Sequence, residues 1–188
     1  KTAATSSWDA GVFSEQYISG DGSVSTTIEE NTTLRVIGLS YSDTDQGYDS
    51  IDYSVRLLAN GNFRFYENGV DQQSYSTYQS GDVISIEREG SEITYLKNGV
   101  IVYTSTVSSS GNLYVDTSLY TSGATLNDIV VQNDISETPT VEGLSNATFT
   151  NITNVEVTDN NINKTAATSS WDAGVFSEQY ISGDGSVS

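Results

Sequence analysis

Apolar and polar residues alternate with a period of two along most of residues 12–132, the spacing of strands with one face buried and the other wet. Val12–Ser19 alternates ahead of an Asp21-Gly22 turn, and Ser23–Glu29 follows it. Leu34–Tyr41 is mostly apolar, which predicts a strand covered on both faces. In the next run Ile51, Tyr53, Val55 and Leu57 share one face, with Asp52, Ser54 and Arg56 opposite. Further runs occupy Asn62–Glu67, Val70–Tyr75, Val83–Glu89, Glu92–Lys97, Val100–Thr106, Leu113–Leu119 and Leu126–Gln132. Between them stand Asn60-Gly61, Asn68-Gly69, Gly81-Asp82, Gly90-Ser91 and Asn98-Gly99. Each Asn-Gly pair predicts a two-residue type I′ hairpin, because both central positions of that turn need positive φ. No window carries a helical stripe. Ten or eleven strands of this kind predict an all-β fold, an antiparallel two-sheet jelly-roll sandwich.

Residues 133–163 break the pattern. Ser136–Gly143 holds the only proline, Pro139, and reads as a linker. Ala147–Thr158 alternates again, so the segment is either a plain spacer or a short β connector. Residues 164–188 then repeat residues 1–25 letter for letter, which sets a period of 163 residues. The expected organisation is a jelly-roll domain over 1–132, a connector over 133–163 and the start of the next identical repeat over 164–188. Identical copies in tandem suit long proteins that multiply one module for reach or avidity. A jelly roll cannot leave its first strands unpaired, so Trp8, Val12, Phe13, Tyr17 and Ile18 are expected in the core of their own copy.

Composition narrows the chemistry. The chain has no Cys, His or Met. It therefore has no disulfide, no thiol nucleophile, no imidazole base and no soft metal site. The net charge of −18 repels phosphate backbones and anionic lipid, so neither nucleic-acid binding nor direct membrane insertion is expected. The same charge suits a chain that stays soluble and keeps its copies apart. Abundant Ser, Thr, Asn, Gly and Tyr with few Lys matches secreted bacterial surface proteins.

Ser80–Ser105 carries Gly81-Asp82-Val83-Ile84-Ser85-Ile86, then Tyr95-Leu96-Lys97-Asn98-Gly99 and a short apolar strand. This stretch resembles the concanavalin A-like jelly roll in its SPRY-type form. Trp8-Asp9-Ala10-Gly11, Gly20-Asp21-Gly22-Ser23-Val24, Ile51-Asp52-Tyr53 and Phe65-Tyr66-Glu67-Asn68-Gly69 resemble repeats of large bacterial cell-surface adhesins. The resemblance spans roughly Ser6–Gln132 and implies the sandwich fold. It says little of function, because lectins, glycan hydrolases, peptide-binding modules and spacers share that fold.

Three groups of residues invite chemistry. Asp43, Asp45, Asp49 and Asp52 crowd one loop, SDTDQGYDSID, and carboxylates near a glycine suit Ca²⁺, which takes about six to eight oxygens. The spacing is not that of an EF-hand, and a solvated acidic loop is the plainer reading. Glu87 and Glu89 share a strand face, as the paired carboxylates of jelly-roll glycan hydrolases do. The E-x-D-x-x-E spacing of those enzymes is not met, because Glu89 stands at the middle position and Gly90-Ser91 carries Glu92 onto the next strand. No enzyme activity is expected. Among the aromatic residues, Tyr66, Tyr75 and Tyr78 lie on the polar side of the alternation as candidates for sugar stacking, whereas Tyr53, Phe63, Phe65 and Trp8 read as core.

The expected function is a tandem structural and adhesive repeat of a giant secreted cell-surface adhesin or filament. Surface attachment of the biofilm or gliding type would be its process, and the location extracellular. Its partners would be neighbouring copies, glycans or abiotic surfaces; no cofactor is required by this reading, and calcium is the one candidate. The alternative is a carbohydrate-binding lectin module with a Ca²⁺-dependent site.

Overall fold

Eleven strands fill residues 11–133 of the computed structural model, which describes residues 1–133 and the backbone of three short strands beyond them. They are β1 (Gly11–Ile18), β2 (Gly22–Thr27), β3 (Arg35–Ser40), β4 (Tyr53–Leu57), β5 (Asn62–Glu67), β6 (Val70–Thr77), β7 (Val83–Glu89), β8 (Glu92–Lys97), β9 (Val100–Thr104), β10 (Leu113–Leu119) and β11 (Thr125–Asn133). The three beyond are β12 (Leu144–Asn146), β13 (Val155–Thr158) and β14 (Asn161–Lys164). The reading of Ser136–Gly143 as linker, and of the repeat past Lys164, falls outside the described residues. Of the alternating stretch Ala147–Thr158, Val155–Thr158 is a strand, and residues 147–154 lie outside the described residues. One short 3₁₀ turn, Tyr48–Ser50, interrupts an otherwise all-β series.

The strands form two antiparallel sheets, the jelly-roll sandwich that the alternation predicts. One runs β1-β10-β3-β4-β5-β6, and the other runs β13-β14-β11-β2-β7-β8-β9 with β12 also on β11. Their inner faces meet in a single core. Val12, Ile37, Leu39, Tyr53, Val55, Phe63, Phe65 and Val115 come from the first sheet, and Val24, Ile84, Ile86, Ile93, Tyr95 and Val131 from the second. In each strand these residues alternate with those facing out, so burial of one parity drives the pairing.

Turn chemistry fixes the register. Asn68 and Asn98 adopt φ of 49° and 52°, each followed by a glycine at 74°, as type I′ hairpins require. Asn60-Gly61 departs from expectation. Only Gly61 has positive φ, at 75°, and its amide bonds Leu58 O while the Leu58 amide bonds Asn62 O. That is a three-residue loop with a bulge, and Asn60 Oδ1 accepts the Asn62 amide at 3.1 Å to close it.

The Gly81–Ile86 and Tyr95–Gly99 segments have a structural role here. Asp82 accepts the Gln79 amide at 3.0 Å and Asn98 Nδ2 at 2.8 Å, and pairs with Lys97 at 3.3 Å. The Asn98 Oδ1 in turn accepts the Val83 amide. The G-D-V-I and K-N-G segments thus tie the two ends of the β7–β8 hairpin to each other.

Candidate functional site

The loop over residues 41–52 is exposed at 41–45 and at Asp49, and buries Gly47 and Ile51. It folds back over the outer face of the six-stranded sheet. Ile51 is fully buried, and its Cγ2 lies 2.5 Å from where a side chain on the outward-facing Gly38 would begin. Ser118 of β10 donates its hydroxyl to Gln46 O at 2.6 Å. Val36, Ser40 and Ser54, all outward by parity, are buried as well. The apolar run of β3 is explained by this layering: its inner side packs on the core and its outer side lies beneath the loop.

Aromatic rings and one cation hold the loop down. Tyr48 sits 4.8 Å from Trp8 and 5.7 Å from Tyr66, and Trp8 lies 5.0 Å from Tyr120. The Arg56 guanidinium stands among three of these rings, at 4.5 Å from Tyr48, 5.2 Å from Trp8 and 5.4 Å from Tyr66. It also donates to Tyr66 Oη at 3.3 Å. A cation over several ring faces is attracted by each quadrupole, so Arg56 acts as the rivet of this layer. Trp8, expected in the core, is half-buried here on the outer face instead. Its ring packs there on Tyr48, Tyr120 and the Arg56 guanidinium, and the aromatic residues of the core are Phe63, Phe65, Tyr53, Tyr78 and Tyr95.

The four aspartates of the loop have separate roles. Asp45 Oδ1 accepts the Gly47 amide at 2.7 Å and the Ser50 hydroxyl at 3.1 Å. Asp52 Oδ2 accepts the Tyr41 amide at 2.9 Å. Asp49 packs its backbone against Gly69 of the β5–β6 turn. Asp43 is exposed, and partial burial followed by the charge of Asp45 raises its carboxyl above the ordinary range. Among the described residues no three acidic side chains converge as metal ligands do. Asp116, which the sequence analysis did not single out, is 4% exposed beneath this loop and accepts the Ser40 hydroxyl at 2.8 Å. Burial pushes its carboxyl well up, and the charges of Asp43 and Asp52 push the same way.

Beside the loop opens a shallow cleft of about 490 Å³, lined by Phe13, Ser14 and Glu15 of β1, Tyr114 of β10, and Tyr41 and Ser42. Phe13 and Tyr114 stack at 4.9 Å with planes 27° apart, and Tyr17 lies 5.4 Å from Tyr114. Tyr41 is 39% exposed and Tyr17 40%. A bulge makes this possible. The register of β1 on β10 shifts between Phe13 and Tyr17, and Ser14 Oγ replaces a ladder partner by accepting the Val115 amide at 2.9 Å. Phe13 and Tyr17, expected in the core, face outward by strand parity, and the bulge sets both beside Tyr114, while Val12 and Ile18 are buried as expected. The adjacent apolar pair Val12-Phe13 was the signal, since neighbours on a strand point to opposite faces.

The nominated aromatic residues divide differently. Tyr75 is 72% exposed on the edge strand β6, far more open than Tyr66. Tyr78 is 4% exposed, because its hydroxyl donates to Leu58 O at 2.6 Å and its ring packs on Phe63. Glu87 and Glu89 share the outer face of the other sheet, with Glu92 across the turn at the start of β8, as parity predicts. No helix among the described residues is long and apolar enough to cross a membrane.

No family model matches the chain, and no curated protein matches it. Solved structures do resemble it. The SPRY domain of human HERC1 is 17% identical over 59% of this chain and 74% of its own, with a TM-score of 0.44. The carbohydrate binding module CBM66 from Bacillus subtilis is 15% identical over 61% and 78%, at 0.36. The β-glucanase of Bacillus licheniformis is 16% identical over 57% of this chain and 56% of its own, at 0.38. Identities this low concern the fold alone.

Proposed function

We propose that the chain is a tandem repeat of a large secreted cell-surface adhesin or filament, presenting one weak contact site per copy to a glycan or solid surface. The observation that carries this reading is the return of residues 1–25 as residues 164–188, one period of 163 residues later. Multiplying a module without change raises avidity and reach, and adds little to a catalytic site. The contact site we assign is the cleft lined by Phe13, Tyr41 and Tyr114, with Tyr17 beside it against Tyr114. Aromatic faces there meet the Ser42 hydroxyl and the Glu15 carboxylate, a lining that suits the apolar face and hydroxyl rim of a sugar ring.

A second reading, a lectin with a defined and Ca²⁺-dependent site, draws on the acidic loop beside the cleft. Asp43 follows directly on the lining residue Ser42. Neither reading uses Glu87 and Glu89, which lie on the other sheet, and we assign them no catalytic role. Glycan-array binding of the chain with Ca²⁺ and with EDTA, alongside Tyr41→Ser and Tyr114→Ser, separates the two. Broad, weak, EDTA-resistant binding lost in the variants supports the adhesive repeat. A single glycan class bound only with Ca²⁺ supports the lectin, and binding unchanged by both substitutions removes the cleft from either.

A further inference from the structure

β11 offers two edges. One is taken by β2, and the other, at its first residues, by β14. On that second edge Asn163 faces Thr125 and Ile162 faces Leu126, so the register carries the next residue, Lys164, toward Ala124. That place is already filled. The amino group of Lys1 donates to Ala124 O at 2.5 Å, and the Gly123 amide donates to Lys1 O at 2.6 Å. Strand 161–163 and the first residue of the domain therefore lie end to end along β11.

Lys1 and Lys164 open the same 25-residue sequence. If residues 161–163 stay on the β11 of the copy they close, Lys164 is led into a slot that Lys1 occupies. If they sit instead on the β11 of the copy that begins at Lys164, both demands are met by one unbroken strand. Lys164 takes the place against its own Ala124 equivalent that Lys1 takes here. Asn163 and Ile162, joined to it by ordinary trans peptide bonds, then reach its Thr125 and Leu126 equivalents without a gap.

We infer that in consecutive copies the connector hairpin β13–β14 pairs with β11 of the following copy, so that each repeat is completed by strands from the one before. The partner of this sheet edge is a second copy of this chain, and the recognition is strand addition through backbone hydrogen bonds. The joint between repeats is then a continuation of a sheet, which fixes the angle between copies where a free linker would leave it open. The inference rests on the tandem part of the proposed function and is independent of adhesion.

The absence of cysteine makes the test clean. A chain of two complete copies carries Asn163→Cys in the connector, with Thr125→Cys placed either in the first copy or at the equivalent position of the second. Residues that face each other across an antiparallel pair lie within disulfide reach. After mild oxidation, peptide mapping should find the link with the second copy and not with the first. A link with the first copy, links with both alike, or none in chains whose far-ultraviolet circular dichroism is native would overturn the inference. A nitroxide on Asn163→Cys alone needs no change in β11. It should broaden the amide signals of Thr125 and Leu126 in a segmentally labelled second copy and leave those of the first sharp, and the reverse pattern overturns the inference equally. Failure here leaves the adhesive reading standing, since surface retention is measured separately.

Discussion

Replacing Arg56 by Met keeps the aliphatic stem and removes the cation from among Trp8, Tyr48 and Tyr66. Each ring lies within 5.4 Å of the guanidinium carbon. One such contact is worth about 0.5–1 kcal/mol where partly wet, and three rings sharing one cation fall short of additivity. The gain is offset by the buried Arg56 Nε, which has no hydrogen-bond partner and is desolvated at a cost that Met avoids. We therefore expect Arg56→Met to lose about 1–2 kcal/mol, near 5 °C in melting temperature for a domain of this size. The loss should be local in origin. In a Trp171→Phe background Trp8 is the only indole, so its emission reports the layer directly. It should shift to the red at 25 °C, where the core is still folded, as loop 41–52 loosens from the sheet. A melting point within about 1 °C of the parent, with Trp8 emission unchanged, would refute the claim that Arg56 holds the loop.

Gly38→Ala should be worse than its chemistry suggests. The added methyl would overlap the backbone oxygen of Tyr53 and Ile51 Cγ2, so we expect a loss of about 1–3 kcal/mol in urea unfolding, while Gly20→Ala, in open space, stays near neutral. Glu67 is buried between the sheets, and burial raises its carboxyl despite hydrogen bonds from the Ser105 and Tyr95 hydroxyls. The folded state then holds that proton more tightly than the unfolded chain. Its contribution is most favourable at acid pH, below the unfolded pKa, and declines as pH rises through the folded value. Glu67→Gln should flatten the decline of the urea midpoint over that window, and a steeper fall in the variant would contradict the assignment. If the acidic loop holds Ca²⁺, millimolar Ca²⁺ should raise the melting temperature and EDTA should reverse it, whereas a curve unmoved by either removes the metal from the account.

Most of the sandwich was legible in the chain because strand parity and turn residues are local properties. The runs from Val12 to Gln132 coincide with β1–β11 to within a residue or two, and Asn68-Gly69 and Asn98-Gly99 form the turns that their φ demands predict. Parity failed where a second layer was added. Nothing local in SDTDQGYDSID says that Ile51 will cap Gly38 or that Gln46 will receive Ser118, and nothing in the sequence marks Asp116, which is buried. Tyr78 reads as exposed because its run is polar, yet its partner Leu58 lies 20 residues back. The cleft was hidden by a bulge in β1. Parity alone puts Phe13 and Tyr17 on one face, but it is the bulge, with Ser14 accepting a β10 amide, that brings both beside Tyr114, a juxtaposition set by β10, which is about 100 residues away in sequence. Long-range pairing decides such contacts, and period-two patterning carries no information about it.

Retention under flow tests the adhesive claim most directly. Beads bearing chains of one, two or four copies, at equal surface density of chains, are captured on a glycan-coated or bare solid support and the detachment rate is read as shear rises. Linked weak sites act at high effective concentration, so four copies should hold beads about 10²-fold longer than one. The gain should vanish when Tyr41→Ser and Tyr114→Ser are placed in every copy. Retention that is no greater for four copies than for one, or that survives both substitutions undiminished, would contradict the proposed function.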